Sequence, residues 1–430
     1  MSKPDKINLN SNYPMIKWAK DLFPLCRSLT GEGTRKTLSY FKKINSEFKV
    51  IKFKSGKKVF DWKIPDEWII NDAYIQHQTN KKFAEFKKNN LHVVGYSQSI
   101  NKSMSKKKLL KNVYTQKSQP NSIPYVTSYY KKSWGFCLSE KQKKLLPEGK
   151  YKVFIDSKFK KGFLDIMHAV IKGKSKREIL FTSYVCHPSM ANNELSGPVL
   201  LNALMKYVKT RYPKRKFSYR FVLHPETIGS IAYLSKFKNV LKKNTICGFN
   251  LTCVGDERAY SIVNSPSENT LADEALKAAL TGKKNLKIYS YLSRGSDERQ
   301  YCSPKINLPY CSFSKSKEYP EYHTDKDDFK VVTQKGLLES FEVMKNIIDA
   351  FELALYPKTQ IICEPNLGKR KLYPTISRKG IYNNEVKLRS NLIAYANGAN
   401  SIFKISNLLN LNLDLVSKEF KKLKKKKILK

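Results

Sequence analysis

A chain of 430 residues exceeds one ordinary domain, and its 41% hydrophobic residues can build a real core, which excludes a wholly disordered protein. The net charge is +45, yet 69 of the 81 basic residues are Lys and only 12 are Arg, spread along the whole length. Phosphate and base recognition draw on the planar fork of Arg, so this charge reflects composition rather than a nucleic-acid footprint.

No apolar run approaches the ~20 residues of a membrane span. The N-terminus, MSKPDKINLNSNYPMIKW, has no apolar signal-peptide core. A cytoplasmic protein without membrane attachment is expected. The eight cysteines agree, because no two are spaced as C-x-x-C and most flank strand-like runs such as YVCH and TICGFNLTC.

Residues 13–44 read as one or two helices around LFPLCRSLTGEGTRKTLSYFKKI. From about 46 to 165 alternating segments (EFKVIKFKSG, KVFDWKIP, NLHVVGYS, YKVFIDSKF) are punctuated by Gly, Pro and Ser-Gly, the pattern of a β-rich module. From about 166 strands and helices alternate. REILFTSYVCH, FSYRFVLHPE, TICGFNLTCVGD, KIYSYLSRGSDE and INLPYCSFS read as strands. LSGPVLLNALMKYVKTR, GSIAYLSKF, ENTLADEALKAALTG and TQKGLLESFEVMKNIIDAFELAL read as helices. Such alternation predicts an α/β fold with a mostly parallel sheet covered by helices on both faces.

After Pro357 come three short helical segments with N-G and N-L-N-L turns, similar to a winged helix. The Lys421–Lys427 cluster at its end contains no Arg, which favours a packing or dimerisation module over a nucleic-acid reader. The expected division is therefore an α/β domain of residues 1–45 and 166–356, an inserted β-rich domain of 46–165, and a winged-helix domain of 357–430.

Polar residues gather where α/β sheets place ligands, at the carboxyl ends of strands. His187 ends one predicted strand, with Asn193 and Glu194 in the next loop. Glu226 ends another, Asp256 a third, and Asp297-Glu298 a fourth; His323 lies in the loop after INLPYCSFS. Histidines and carboxylates around an open position are what catalytic Zn²⁺ requires. Each residue also has a plain structural role open to it: a satisfied strand-end histidine, a helix-start carboxylate at Glu226, a surface ion cluster at Asp297-Glu298-Arg299.

The stretches CHPSMANNELSGP (186–198), PETIGS (225–230) and EYHTDKDD (321–328) resemble the site motifs of the zinc aminopeptidase superfamily of bacterial leucyl aminopeptidases and glutamate carboxypeptidases. The whole chain is similar to a bacterial aminopeptidase-like family, through LFPLCRSLTGEGTR, SGKKVFDW, IPYVTSYYKKSWGFC, TCVGDER, RGSDERQYCSP and CEPNLGKRKLYP in order. The resemblance implies the α/β zinc-exopeptidase fold with an inserted β-rich domain and a winged-helix end. It also implies a zinc-dependent hydrolase cleaving an amide in a small peptide or an N-acylated molecule.

Carried over by position, the resemblance makes Glu226 the general base. His187, His323 and Glu194, or the amide oxygen of Asn193, become ligands of one Zn²⁺, and Asp297 orients a histidine. Three positions depart from the superfamily pattern. Asn193 replaces a bridging Asp, and Thr227 and Thr252 replace two ligand carboxylates, so two metals are not expected. The same departures leave a degenerate, ligand-binding peptidase fold as one alternative; a winged-helix DNA-binding regulator is the other. A homo-oligomer is compatible with the sequence.

Overall fold

In a computed structural model of the chain, residues 13–373 and 381–430 are described; the polar start at 1–12 lies outside them. Two amphipathic helices come first, α1 (Met15–Leu22) and α2 (Glu32–Ile44), each burying one stripe of apolar side chains. The strands β1 (Lys49–Lys54), β2 (Glu67–His77), β3 (Ile100–Ser105), β4 (Lys150–Lys160) and β5 (Phe163–Ile171) follow.

Alternation then begins in earnest: β6 (Glu178–Tyr184), α3 (Ser196–Arg211), β7 (Ser218–His224), α4 (Ile228–Asn244), β8 (Thr245–Leu251), β9 (Tyr260–Val263) and α5 (Leu271–Leu280). The strands β10 (Leu286–Tyr289) and β11 (Tyr310–Ser314) precede the long helix α6 (Gln334–Ala354). Three helices close the chain, α7 (Ile381–Tyr395), α8 (Ile402–Leu408) and α9 (Leu413–Lys425).

Eight strands form one sheet in the order β1-β5-β7-β6-β8-β11-β9-β10. Its centre is parallel from β7 through β6 and β8 to β11, and β6 and β7 are buried at every position. Continuous burial of this kind requires helices on both faces, which explains why these segments read as unbroken apolar runs. The β1–β5, β5–β7 and β11–β9 pairs are antiparallel. Because β6, β7 and β8 run together in register (Tyr184 opposite His224, Thr182 opposite Asn250), the segments that follow them emerge at one end of the sheet.

A second, antiparallel sheet joins β2, β3, β4 and the short Lys82–Phe83 strand. Its inward residues Ile75, Val153 and Ile155 share a hydrophobic cluster with Leu180 and Val222 of the large sheet. Strand β1 lies within the 46–165 stretch expected as a β-rich insertion, but it pairs with β5 in the large sheet. Period-two alternation identifies a strand and says nothing about its partner, so that boundary was invisible in the chain.

At the C-terminal end α8 and α9 dock on α5 and α6. Ser401 Oγ donates to Glu274 at 2.7 Å, and the Asn407 and Asn412 side chains donate to the Glu274 and Thr281 carbonyls at 3.0 and 3.1 Å. Helix α9 buries Leu413, Val416, Phe420 and Leu423 along one face. Among the described residues no helix is long and apolar enough to cross a membrane.

Candidate active site at the strand ends

His187 follows β6 by three residues, and the next segment, Ala191–Leu195, is a single wide helical turn leading into α3. That turn swings Glu194 back under the imidazole, where its Oε2 accepts from His187 Nδ1 at 2.8 Å. Glu194 is fully buried, and Arg27 supplies the compensating charge with its Nε 3.6 Å from Oε1. The guanidinium also donates to the His187 carbonyl at 2.9 Å and the Leu22 carbonyl at 2.6 Å, tying the site to the end of α1. Burial alone would depress His187; the hydrogen bond and charge of Glu194, with the charge of Glu226, outweigh it and hold the imidazole above its ordinary value.

Asn193 has an equally determined setting. Its backbone N–H and that of Asn192 donate to the two oxygens of Asp327, at 2.8 and 2.6 Å, and its side-chain nitrogen donates to Tyr184 Oη at 2.9 Å. Tyr184 Oη in turn lies 2.5 Å from Thr252 Oγ1. This chain turns the amide nitrogen toward Tyr184 and leaves Oδ1 buried with no partner.

Glu226 lies just past β7, its Oε2 3.8 Å from His187 Nε2. Burial raises its carboxyl well above the usual carboxylate range; the neighbouring His187 opposes this and Asp297 adds to it. Thr227, next in the chain, has φ of 61° and ψ of −76°, a strained conformation for a β-branched residue. Asp297 holds that turn, accepting from Thr227 N–H at 2.8 Å and Ser230 Oγ at 2.7 Å. The histidine that Asp297 approaches is His224, at 3.7 Å, rather than either candidate metal ligand. The carboxylate therefore sets the position of the Glu226 turn.

His323 occupies a loop after β11 with φ of 56°. Its ring centroid is 5.4 Å from that of His187, and Tyr125 packs edge-on against both, at 5.0 and 5.2 Å. Tyr322 stacks on His323 at 3.9 Å, and the Tyr125 N–H donates to the His323 carbonyl. His323 Nε2 is buried without a partner, and burial, with the charge of His187, lowers its pKa to about 3. A cavity of 370 Å³ opens beside these groups, with His187, Glu226, Cys186, Trp62, Tyr129 and Tyr130 among its walls.

Two imidazoles tilted 40° to one another, with an unpartnered Nε2 on His323 and an unpartnered amide oxygen on Asn193 of the same strand-end loops, offer donors of the kind a zinc site uses. Cys186, His187 Nδ1 and Glu194 also cluster, but Nδ1 and Glu194 already satisfy one another and burial keeps the Cys186 thiol far above its ordinary value. Arg27, Tyr125 and Cys186 were not singled out from the sequence. They lie 160, 62 and 1 residues from His187, and each sits in a motif already noted: Arg27 in LFPLCRSLTGEGTR, Tyr125 in IPYVTSYYKKSWGFC and Cys186 at the start of CHPSMANNELSGP.

The sheet order, the strand-end loops and the winged helix define a chain of the aminopeptidase fold. It belongs to the family described as Domain of unknown function (DUF4910), whose model matches residues 16–354; residues 354–430 match a winged helix-turn-helix. A Clostridium acetobutylicum relative named for polysaccharide biosynthesis with an aminopeptidase-like domain is 37% identical over 394 residues, covering 90% of this chain and 89% of its own. A crystal structure of a C. acetobutylicum protein described as a peptidase superposes with a TM-score of 0.88 at 33% identity, covering 98% of this chain and 96% of that one. A zinc aminopeptidase from Bacillus subtilis shares the fold, with a TM-score of 0.57 at 13% identity over 80% of this chain and 95% of its own.

Proposed function

We propose that the protein is a zinc-dependent hydrolase of the aminopeptidase type that cleaves an amide bond, with one ion held by His187, His323 and the Asn193 Oδ1. The observation that carries this reading is the pair of imidazoles 5.4 Å apart beside the Glu226 carboxylate. Glu194 was a candidate ligand from the sequence; its hydrogen bond to His187 Nδ1 favours an orienting role, in which it directs Nε2 toward the ion. A bound Zn²⁺ supplies Lewis-acid activation of a carbonyl and of water.

The remaining work falls to the chain. Glu226 Oε2 takes the proton of the attacking water and returns it to the leaving nitrogen, and its raised pKa suits a shuttle working near neutral pH. Asp297 fixes the turn that presents this carboxylate, while Tyr125 and Tyr129 exclude bulk water from one side. The substrate is a small peptide or an N-acylated small molecule. The relative named for polysaccharide biosynthesis favours an N-acyl group on an amino sugar.

Zinc content measured beside turnover on aminoacyl and N-acyl amides tests the reading. Glu226→Gln should keep zinc and lose most hydrolysis, whereas His187→Ala and His323→Ala should lose zinc. A wild-type protein that binds no zinc would instead support a ligand-binding protein, for which Thr227 and Thr252 at positions occupied by carboxylates in the superfamily are the supporting residues.

A further inference from the structure

Next to the site cavity lies a larger one of 460 Å³, and the two share Tyr129 and Tyr130 as a common wall. Trp62, on the site side, meets the Tyr130 ring edge-on at 5.6 Å, and both rings are exposed. Lys63, Lys131, Lys132 and Lys161 line the second cavity against one carboxylate, Asp66, which Lys161 already holds at 2.8 Å. Among the described residues no carboxylate lies within ion-pair reach of the other three lysines.

The aromatic wall is pre-organised. Tyr96 stacks on Trp68 at 5.8 Å, meets Tyr129 edge-on at 5.2 Å and Phe159 at 5.8 Å, and donates from its hydroxyl to the Asp66 carbonyl.

We infer that the second cavity is the distal part of the substrate site and takes the anionic portion of an N-acylated amino-sugar chain. The inference rests on the amide-hydrolase reading and adds to it the chemical class of the substrate. A pyranose presents an apolar C–H face that packs on aromatic rings and hydroxyls that remain wet. A carboxylate or phosphate on the same or the next sugar meets the ammonium groups, whose field is concentrated by the low-dielectric walls of the cleft. The shared Tyr129–Tyr130 wall sets the two cavities side by side, so an acyl amide held at His187 and Glu226 would have its charged end reach past Trp62 into the second cavity.

Calorimetric titration of the full chain tests this with four probes. These are a tetrasaccharide alternating glucuronate and N-acetylglucosamine, UDP-N-acetylglucosamine, neutral chitotetraose, and N-acetylated tetraglutamate. At least one of the two anionic saccharides should bind tenfold or more tightly than both chitotetraose and tetraglutamate, and the stronger of the two identifies carboxylate or phosphate as the anion. Lys131→Ala with Lys132→Ala should cut that affinity at least tenfold and flatten its salt dependence; both side chains are exposed and hold no ion pair, so folding is not at issue. Tyr130→Ala should weaken charged and neutral saccharides alike.

Equal binding of neutral and anionic saccharides, tighter binding of tetraglutamate, or an unchanged affinity in the lysine variant would overturn the inference. Glu226→Gln should bind the anionic probe as the wild type does. Anionic binding without zinc or turnover would remove the hydrolase reading and leave the distal site standing.

Discussion

Replacing Glu194 separates an orienting carboxylate from a metal ligand. The side chain is fully buried, 2.8 Å from His187 Nδ1 and 3.6 Å from Arg27 Nε. At an effective dielectric near 20, a charge pair at that distance is worth roughly 4–5 kcal/mol. Removing one member of a buried pair strands the other, at a cost of about 3–5 kcal/mol. Arg27 has nowhere to go, since its remaining contacts are the neutral carbonyls of Leu22 and His187.

Glu194→Gln should therefore lower stability by about 3–5 kcal/mol in chemical denaturation of the metal-free protein. Zinc affinity should fall by a further factor of about 10–100, because the amide no longer fixes the tautomer and basicity of His187. Zinc titration against a competing chelator, run beside His187→Ala, reads the second effect. If Glu194→Gln loses zinc as completely as His187→Ala, the carboxylate is itself a ligand and the orienting role is wrong. If stability and affinity are both unchanged, the Arg27–Glu194–His187 chain does not organise the site.

Acid should weaken the fold through His224, whose pKa is lowered to about 4, chiefly by burial. Its neutral form contributes stability that is present above the unfolded value of ~6.5 and lost as pH falls toward 4, about 3 kcal/mol in all. Chemical denaturation across that window should show a shallower pH slope in His224→Gln; an identical slope would assign the loss to other groups. Gly197→Ala should destabilise by about 1–3 kcal/mol or more in the same assay, because an added Cβ would stand 2.2 Å from the Leu251 carbonyl and 2.3 Å from Ser183 Oγ and push α3 off the sheet. Duplex DNA should bind no more tightly than about 1 µM at physiological salt, with affinity collapsing as salt rises; saturable nanomolar binding in a fluorescence anisotropy titration would restore the regulator reading.

The central strands and their helices were legible in the chain because burial on both faces writes a continuous apolar run, and REILFTSYVCH and FSYRFVLHPE are such runs. Parallel pairing then made the ends of those strands the place to look, and His187 and Glu226 are brought to 3.8 Å there. The motifs around 186–198, 225–230 and 321–328 pointed to the same loops. Spacing along the chain carried no more than that.

Tertiary structure alone decided which atoms meet. The wide turn at Ala191–Leu195 rotates Glu194 onto Nδ1 and sends the Asn193 nitrogen to Tyr184, a difference of one residue that no periodicity encodes. Asp297 meets the Thr227 turn and His224 because a loop some 70 residues further on packs there. Arg27 reaches Glu194 across 167 positions of sequence, and β1 joins the large sheet rather than the insertion. Local pattern specifies the element and its buried face; the partner across a long loop is chosen by which buried charge and which apolar face remain unmatched when the rest of the chain has closed around them.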